Sequence, residues 1–100
     1  MKRREVTFAP EAKDDLLKLY DWIAEAAGPA VALPYLERIE AYCAGFDLAS
    51  ERGTKRDDVR RGLRIAGFER RVTIAFTVSD ARVVILRVFY GGQDWQEALR

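Results

Sequence analysis

The run Val83-Val84-Ile85-Leu86-Arg87-Val88-Phe89-Tyr90 limits the fold more than any other stretch of this chain. An extended segment that is apolar on both faces must be covered on both, so the strand belongs inside a sheet rather than at its margin. It stops at Gly91-Gly92 and passes into a short tail, Gln93-Asp94-Trp95-Gln96-Glu97-Ala98-Leu99-Arg100. Its one charge, Arg87, needs an account, because a charge in an inner strand is costly unless it is paired. Two readings are open: an ion pair with an acid across the sheet, such as Glu5, or a contact with another molecule.

The other segments say what covers this strand. Residues 3–8 alternate, with Val6 and Phe8 on one side and Glu5 and Thr7 on the other, as in a strand with one wet face. Pro10 opens a helix, and Leu16, Leu19, Tyr20, Ile23 and Ala27 form its apolar stripe up to a stop at Gly28. Pro29 opens a second helix with Ala32, Leu36, Ile39, Cys43 and Phe46 facing inward. Pro34 either bends that helix or marks its restart. Residues 49–61 are polar and lack periodicity, which reads as a loop. Two further strands follow at Gly62–Ile65 and near 70–78, the second with Val72, Ile74, Phe76 and Val78 on one face. The short connections at 66–69 and 79–81 make an antiparallel meander with the run at 82–90. Trp95 and Leu99 dock the tail back on the body. The expected fold is therefore α+β in the order β-α-α-β-β-β. One domain over residues 1–100 packs a helical hairpin on a mainly antiparallel four-stranded sheet, with residues 3–8 beside the inner strand.

Composition narrows the chemistry. The chain has no histidine and one cysteine, Cys43. That removes the commonest general base and metal ligand, excludes Ser-His-Asp and Cys-His mechanisms, and leaves no basis for a zinc site. No cofactor and no metal are expected. No apolar run approaches the roughly 20 residues of a membrane span, and the amino terminus lacks a signal-like segment, so the expected location is the cytoplasm and no membrane partner is expected. Charge is unevenly spread. Residues 10–27 hold five acids against two lysines, and residues 51–71 hold eight bases against four acids. Opposite faces of this kind suit partners of opposite charge, although two solvated faces would read the same way.

Four stretches together resemble the ParE-type toxins of bacterial toxin–antitoxin pairs, in the ParE/RelE superfamily. They are Phe8-Ala9-Pro10-Glu11-Ala12-Lys13-Asp14-Asp15-Leu16, the helix with Ala32, Tyr35-Leu36 and Ile39, the strand Arg61-Gly62-Leu63-Arg64, and the ending Ile85-Leu86-Arg87-Val88-Phe89-Tyr90-Gly91-Gly92-Gln93-Asp94. Their order and spacing cover about residues 6–94. The resemblance implies a protein toxin that binds DNA gyrase and is neutralised by a ParD-like antitoxin. RelE-like relatives are instead ribosome-dependent mRNA endoribonucleases, and a member that is not toxic and only binds antitoxin is a third reading. The RelE-type site places arginines near Thr73 and just after the last strand, and a tyrosine or histidine in the tail. Here Gly91-Gly92 follows the strand and the tail has neither residue, so no catalytic residue is assigned and a non-enzymatic, binding mode of action is expected.

The resemblance also implies an antitoxin segment laid into an apolar groove on the hairpin. Candidate antitoxin-binding residues are Leu17, Trp22, Ala26, Tyr35 and Tyr42, with Arg60, Arg61 and Arg71 of the basic stretch meeting acids of the antitoxin. Trp22 lies off the inward stripe, which suits either a rim position in the core or an interface anchor. Candidate target-facing residues are Arg64, Arg87, Tyr90, Asp94 and Trp95. Arg64 and Arg87 would form a basic spot, and Tyr90 with Trp95 an aromatic one; the structural alternative for Trp95 is that it seals the end of the sheet. No sequence-specific nucleic-acid binding by this chain alone is expected.

Overall fold

Two prolines frame the helical layer of the computed structural model, which describes residues 3–48, 52–91 and 93–99. Pro10 begins α1 (Pro10–Ala27) and Pro29 begins α2 (Pro29–Ala44). A first helical turn makes no use of the N–H that proline lacks. Gly28 joins the helices at φ 93°, and its N–H closes α1 on the Ala24 carbonyl at 2.8 Å. Such a φ is cheap for glycine alone. α2 runs on through Pro34 without a restart. Pro34 and Ala30, whose carbonyl loses its helical donor, are both exposed, so water can serve that carbonyl.

Five strands follow the hairpin layer, counting the one before it: β1 (Glu5–Phe8), β2 (Thr54–Lys55), β3 (Leu63–Phe68), β4 (Val72–Val78) and β5 (Arg82–Tyr90), and then the short α3 (Trp95–Leu99). Their order in the sheet is β1-β5-β4-β3-β2, with β1 parallel to β5 and every other pair antiparallel. The expected four strands become five. Thr54 and Lys55 pair with Ile65 and Arg64 inside the stretch read as loop. Two residues are too few to show a period. Gly53, at φ 83°, makes the approach possible, since a side chain there would run into the Ile65 carbonyl.

The helical hairpin covers one face of the sheet. Leu19, Ile23, Leu36, Ile39, Cys43 and Phe46 pack against Val72, Ile74, Phe76, Val83, Ile85 and Val88. Phe46 and Phe76 lie with ring centroids 4.6 Å apart, both fully buried. The inward stripe of α2 is as its spacing predicts for Ala32, Leu36, Ile39 and Cys43, while Phe46 is buried just past its end, in a 3-10 turn over Gly45–Asp47. In α1 the last residue, Ala27, is carried to solvent at the hairpin turn, while Ala12 is fully buried. A bulge shifts the register between β4 and β5: Ala75 faces Arg87, but Phe76 faces Ile85, so Leu86 is extra. Ile85 and Val88, three residues apart, therefore both face the helices. On the far face Leu63, Ala75 and Phe89 form a second core that Leu99 and Trp95 of α3 close.

Cys43 lies in the main core, and burial pushes its thiol up to about 12. An unfolded thiol ionises near 9, so the proton is held more tightly in the fold. Stability from this group is complete below pH 9 and declines as pH rises toward 12. Urea titrations between pH 8 and 11 will show that decline, and it will be shallower in Cys43→Ala, where only the raised Tyr35 phenol remains to give a loss of the same sign. No helix among the described residues is long and apolar enough to cross a membrane.

Candidate functional site

Among the described residues, four of the five large apolar side chains left exposed lie on the hairpin: Leu17, Trp22, Val31 and Leu33, with Leu48 the fifth. They border hollows on different sides of it. Trp22 is 56% exposed. It sits five residues beyond Leu17 on α1, about 140° around the helix. Its ring leans on Tyr90 at the end of β5, with centroids 5.0 Å apart. Tyr35 of α2 meets Tyr90 edge-on at 6.4 Å. Trp22, Ala26, Val31, Tyr35, Arg71 and Tyr90 line a hollow of about 350 Å³ at the hairpin's turn end. A second hollow of about 420 Å³ shares Trp22 and Tyr90 and reaches Asp15, Lys18 and Gln93.

The polar groups of the first hollow are unevenly served. Arg38 donates from Nε and Nη2 to the Glu69 carboxylate at 3.0 and 3.3 Å, and its guanidinium lies 5.0 Å from the centre of the Tyr35 ring. A hydrogen bond with the Tyr90 side chain holds Arg71 protonated, above the usual arginine range. The Tyr35 hydroxyl is buried and has no hydrogen-bond partner. Burial first, then its phenolic neighbour Tyr90 and the Glu69 carboxylate, push its pKa above the ordinary value.

The β3–β4 turn that carries this rim is strained. Arg71 N–H reaches the Phe68 carbonyl at 3.2 Å, and both residues between them have positive φ, Glu69 at 49° and Arg70 at 62°. That pattern marks a type I′ turn, which glycine or asparagine fills more cheaply. Arg70→Gly, with Glu69 kept on Arg38, is expected to stabilise the fold by about 0.5–1 kcal/mol, read as a higher urea midpoint.

Arg87 is committed inside the molecule. β1 ends at Phe8 and pairs only with Arg82–Ile85, so among the described strands none flanks the second half of β5 on that side. Asp15 of α1 fills the gap. Its Oδ2 accepts from Arg87 Nε at 2.7 Å and from the Val88 backbone N–H at 2.9 Å, and its Oδ1 accepts from Arg87 Nη2 at 3.0 Å. The next outward N–H, that of Tyr90, donates to Gln93 Oε1 at 2.8 Å. The Glu5 pairing expected from the sequence is thus corrected: Glu5 lies in register with Arg82, while Asp15 stands over the edge that β1 leaves open.

The remaining site residues do not come together as expected. Arg64 shares a row with Phe76 and faces the helical side, whereas Arg87 shares a row with Ala75 and faces the other, so they form no common basic spot. Tyr90 and Trp95 are likewise on opposite faces. Trp95 seals the far core beneath the Arg56 guanidinium, 5.0 Å from its ring centroid, which is the structural alternative read from the sequence. Asp94 caps α3, its Oδ1 accepting from the Glu97 N–H at 3.2 Å. Leu17 borders a separate groove of about 450 Å³ with Phe8, Leu16, Tyr20, Leu33 and Leu36. Tyr42 donates its hydroxyl to the Gly67 carbonyl at 3.0 Å and packs on Phe46 and Phe68. Arg60 and Arg61 are exposed in the turn before β3, and Arg71 follows its other end, about 20 Å away along the strand. The basic stretch is two separate places, not one patch. Gly92, one of the glycines standing where a nuclease would carry a base, lies outside the described residues.

Val31 and Leu33 were not singled out from the sequence, although the signal is there: both are apolar and both fall off the Ala32-Leu36-Ile39 stripe. Among the described residues no three or more His, Cys, Asp or Glu are grouped to hold a metal.

Comparison with known proteins adds to this geometry. The sequence model of the family described as "ParE toxin of type II toxin-antitoxin system, parDE" matches residues 6–95. A solved structure described as the chromosomal ParDE toxin–antitoxin system from P. aeruginosa is similar in fold, with a TM-score of 0.78 at 23% identity, covering 89% of this chain and 97% of that one. A chain from the toxin–antitoxin complex RelBE2 of Mycobacterium tuberculosis is also similar, with a TM-score of 0.65 at 21% identity, covering 93% and 97%. At these identities the likeness speaks for the fold alone. Among curated proteins nothing matches.

Proposed function

The chain belongs to the ParE toxin family of type II toxin–antitoxin systems, and we propose on that basis that it acts in the cytoplasm by binding DNA gyrase and is neutralised by a ParD-like antitoxin. The observation that carries a binding mode of action is the apolar surface of the hairpin. Leu17, Trp22, Val31 and Leu33 stay exposed there, around hollows that also bring in Tyr35, Tyr90 and Arg71. Exposed apolar surface on two sides of one helical hairpin is costly to leave bare and marks places where another protein sits. Trp, Tyr and Arg are also the residues that dominate binding energy at interfaces.

The side chains around the end of β5 favour binding over RNA cleavage. Arg87 is spent on Asp15, Asp94 on the start of α3 and Trp95 on the far core. None of these is left to bind a phosphate or move a proton. The chain also has no histidine to act as general base.

The test is a supercoiling assay with purified gyrase, with and without the protein encoded by the adjoining reading frame. Inhibition by this chain, relieved when that protein is added, is the expected result. Full supercoiling at large excess of the chain, or codon-linked mRNA cleavage on translating ribosomes, would overturn the reading.

A further inference from the structure

The hollow beside Trp22 holds one buried donor with no acceptor and, at its rim, one exposed guanidinium. The Tyr35 hydroxyl is buried without a partner, and buried hydroxyls are rarely left so, because each unmade bond costs free energy. Arg71 has phenols around it: its hydrogen bond is to Tyr90, and its other charge neighbour is Tyr35 itself. The carboxylate of the same lining, Glu69, is held by Arg38 through two hydrogen bonds. The walls are apolar, with Trp22, Ala26 and Val31 all exposed. An occupant that met only the walls would leave the Tyr35 hydroxyl unserved and Arg71 with no carboxylate, and one that met only these groups would leave the tryptophan bare.

We infer that this hollow receives from the antitoxin one apolar side chain with a carboxylate beside it. The apolar group packs between Trp22 and Val31, and the carboxylate meets Arg71 and, as the side chains over the Tyr35 hydroxyl move aside, supplies the acceptor that it lacks. The inference rests on the antitoxin reading above and adds the chemistry of the segment that fills this one hollow. A guanidinium and a carboxylate match in shape as well as charge, so Arg71 also sets where along the antitoxin the apolar anchor must fall.

Titration calorimetry of the full chain against the full-length protein of the adjoining reading frame tests it. Tyr35→Phe is expected to weaken binding about three- to tenfold, the worth of one hydrogen bond. In the free chain the same substitution removes a buried group that has no partner, so its urea midpoint should stay the same or rise. Arg71→Glu is expected to weaken binding at least thirtyfold, because like charges then face each other, and Arg71→Lys to recover part of the loss. Lys55→Ala, exposed on the edge strand β2, should bind within about twofold of the parent, since an exposed charge far from the hollow contributes little. Binding within twofold of the parent for both Tyr35→Phe and Arg71→Glu would overturn the inference while leaving the antitoxin reading in place. A midpoint in Tyr35→Phe that falls along with affinity would show a merely structural hydroxyl and overturn it too. No complex with the unaltered chain would overturn the antitoxin reading, and this inference with it.

Discussion

Asp15→Ala is expected to lower the stability of this protein by about 2–4 kcal/mol, the range for removing one partner of a largely buried ion pair. For a domain of this size that is a fall in Tm of roughly 10–20 °C. The Asp15 carboxylate is 12% exposed and Arg87 29%, so solvent screens the pair only in part. Alanine removes three hydrogen bonds at once and strands both a guanidinium and the Val88 N–H at an edge with no strand beside it. Arg87→Met should cost less, because Asp15 keeps the Val88 N–H and gains access to water. Asp15→Leu with Arg87→Met should recover most of the loss, since two apolar side chains leave no charge unpaired. Thermal and urea unfolding of the parent and these variants, with Asp15→Leu alone to close the cycle, measure the coupling. A loss under 1 kcal/mol for Asp15→Ala would mean the pair behaves as an exposed one. The same series separates the two readings of Arg87: an internal partner moves stability, whereas a target-facing cation would move gyrase inhibition and leave stability alone.

Arg87 also shows where reading the sequence stops. The inner place of the strand at 82–90 follows from its composition, and the helical hairpin follows from Pro10, Gly28, Pro29 and two apolar stripes. All of that depends on local periodicity. The partner of Arg87 depends on lengths that pair across the fold. β1 has four residues and β5 has nine, so β5 outruns it, and the residue above the uncovered half lies 72 positions away on α1. Glu5 is the candidate that a strand beside β5 suggests, and the wrong one in space. The bulge at Leu86 compounds this by shifting the faces of β5, which is why Arg64 and Arg87 part company and Tyr90 sits apart from Trp95. A bulge adds one residue without changing composition, so hydropathy carries no trace of it. The site residues on the hairpin are more legible because exposure on a helix follows its period: Trp22 lies off the stripe and is exposed. What spacing withholds is which strand end they meet. Ala26, Tyr35 and Trp22 are brought to Arg71 and Tyr90 by the β4–β5 register, in which Val72 faces Tyr90.

Trp22→Ala carries the largest expected effect on binding. The ring is a little over half exposed and rests on Tyr90, so its loss from the free chain removes one aromatic contact and the smaller, buried part of its surface. That should cost about 1–3 kcal/mol of folding stability, leaving the fold intact. In the complex the same ring would be covered on the sides that now face both hollows it shares with Tyr90. A tryptophan desolvated at the centre of an interface contributes about 2–4 kcal/mol, so affinity for the antitoxin should fall by roughly 30- to 1,000-fold. Trp22→Phe should keep part of it, because phenylalanine still fills space against Tyr90. Leu48→Ala is the control: among the described residues Leu48 is the one large exposed apolar side chain off the hairpin, at 44%, and its removal should change affinity by less than twofold. Leu17→Ala with Leu33→Ala empties the other groove, and its effect relative to Trp22→Ala divides the binding energy between the two sides of the hairpin. Because the sites lie on different sides, the two losses should add in the triple variant. Trp22→Ala binding within twofold of the parent, in a chain whose unfolding shows it folded, would move the antitoxin off this end of the hairpin.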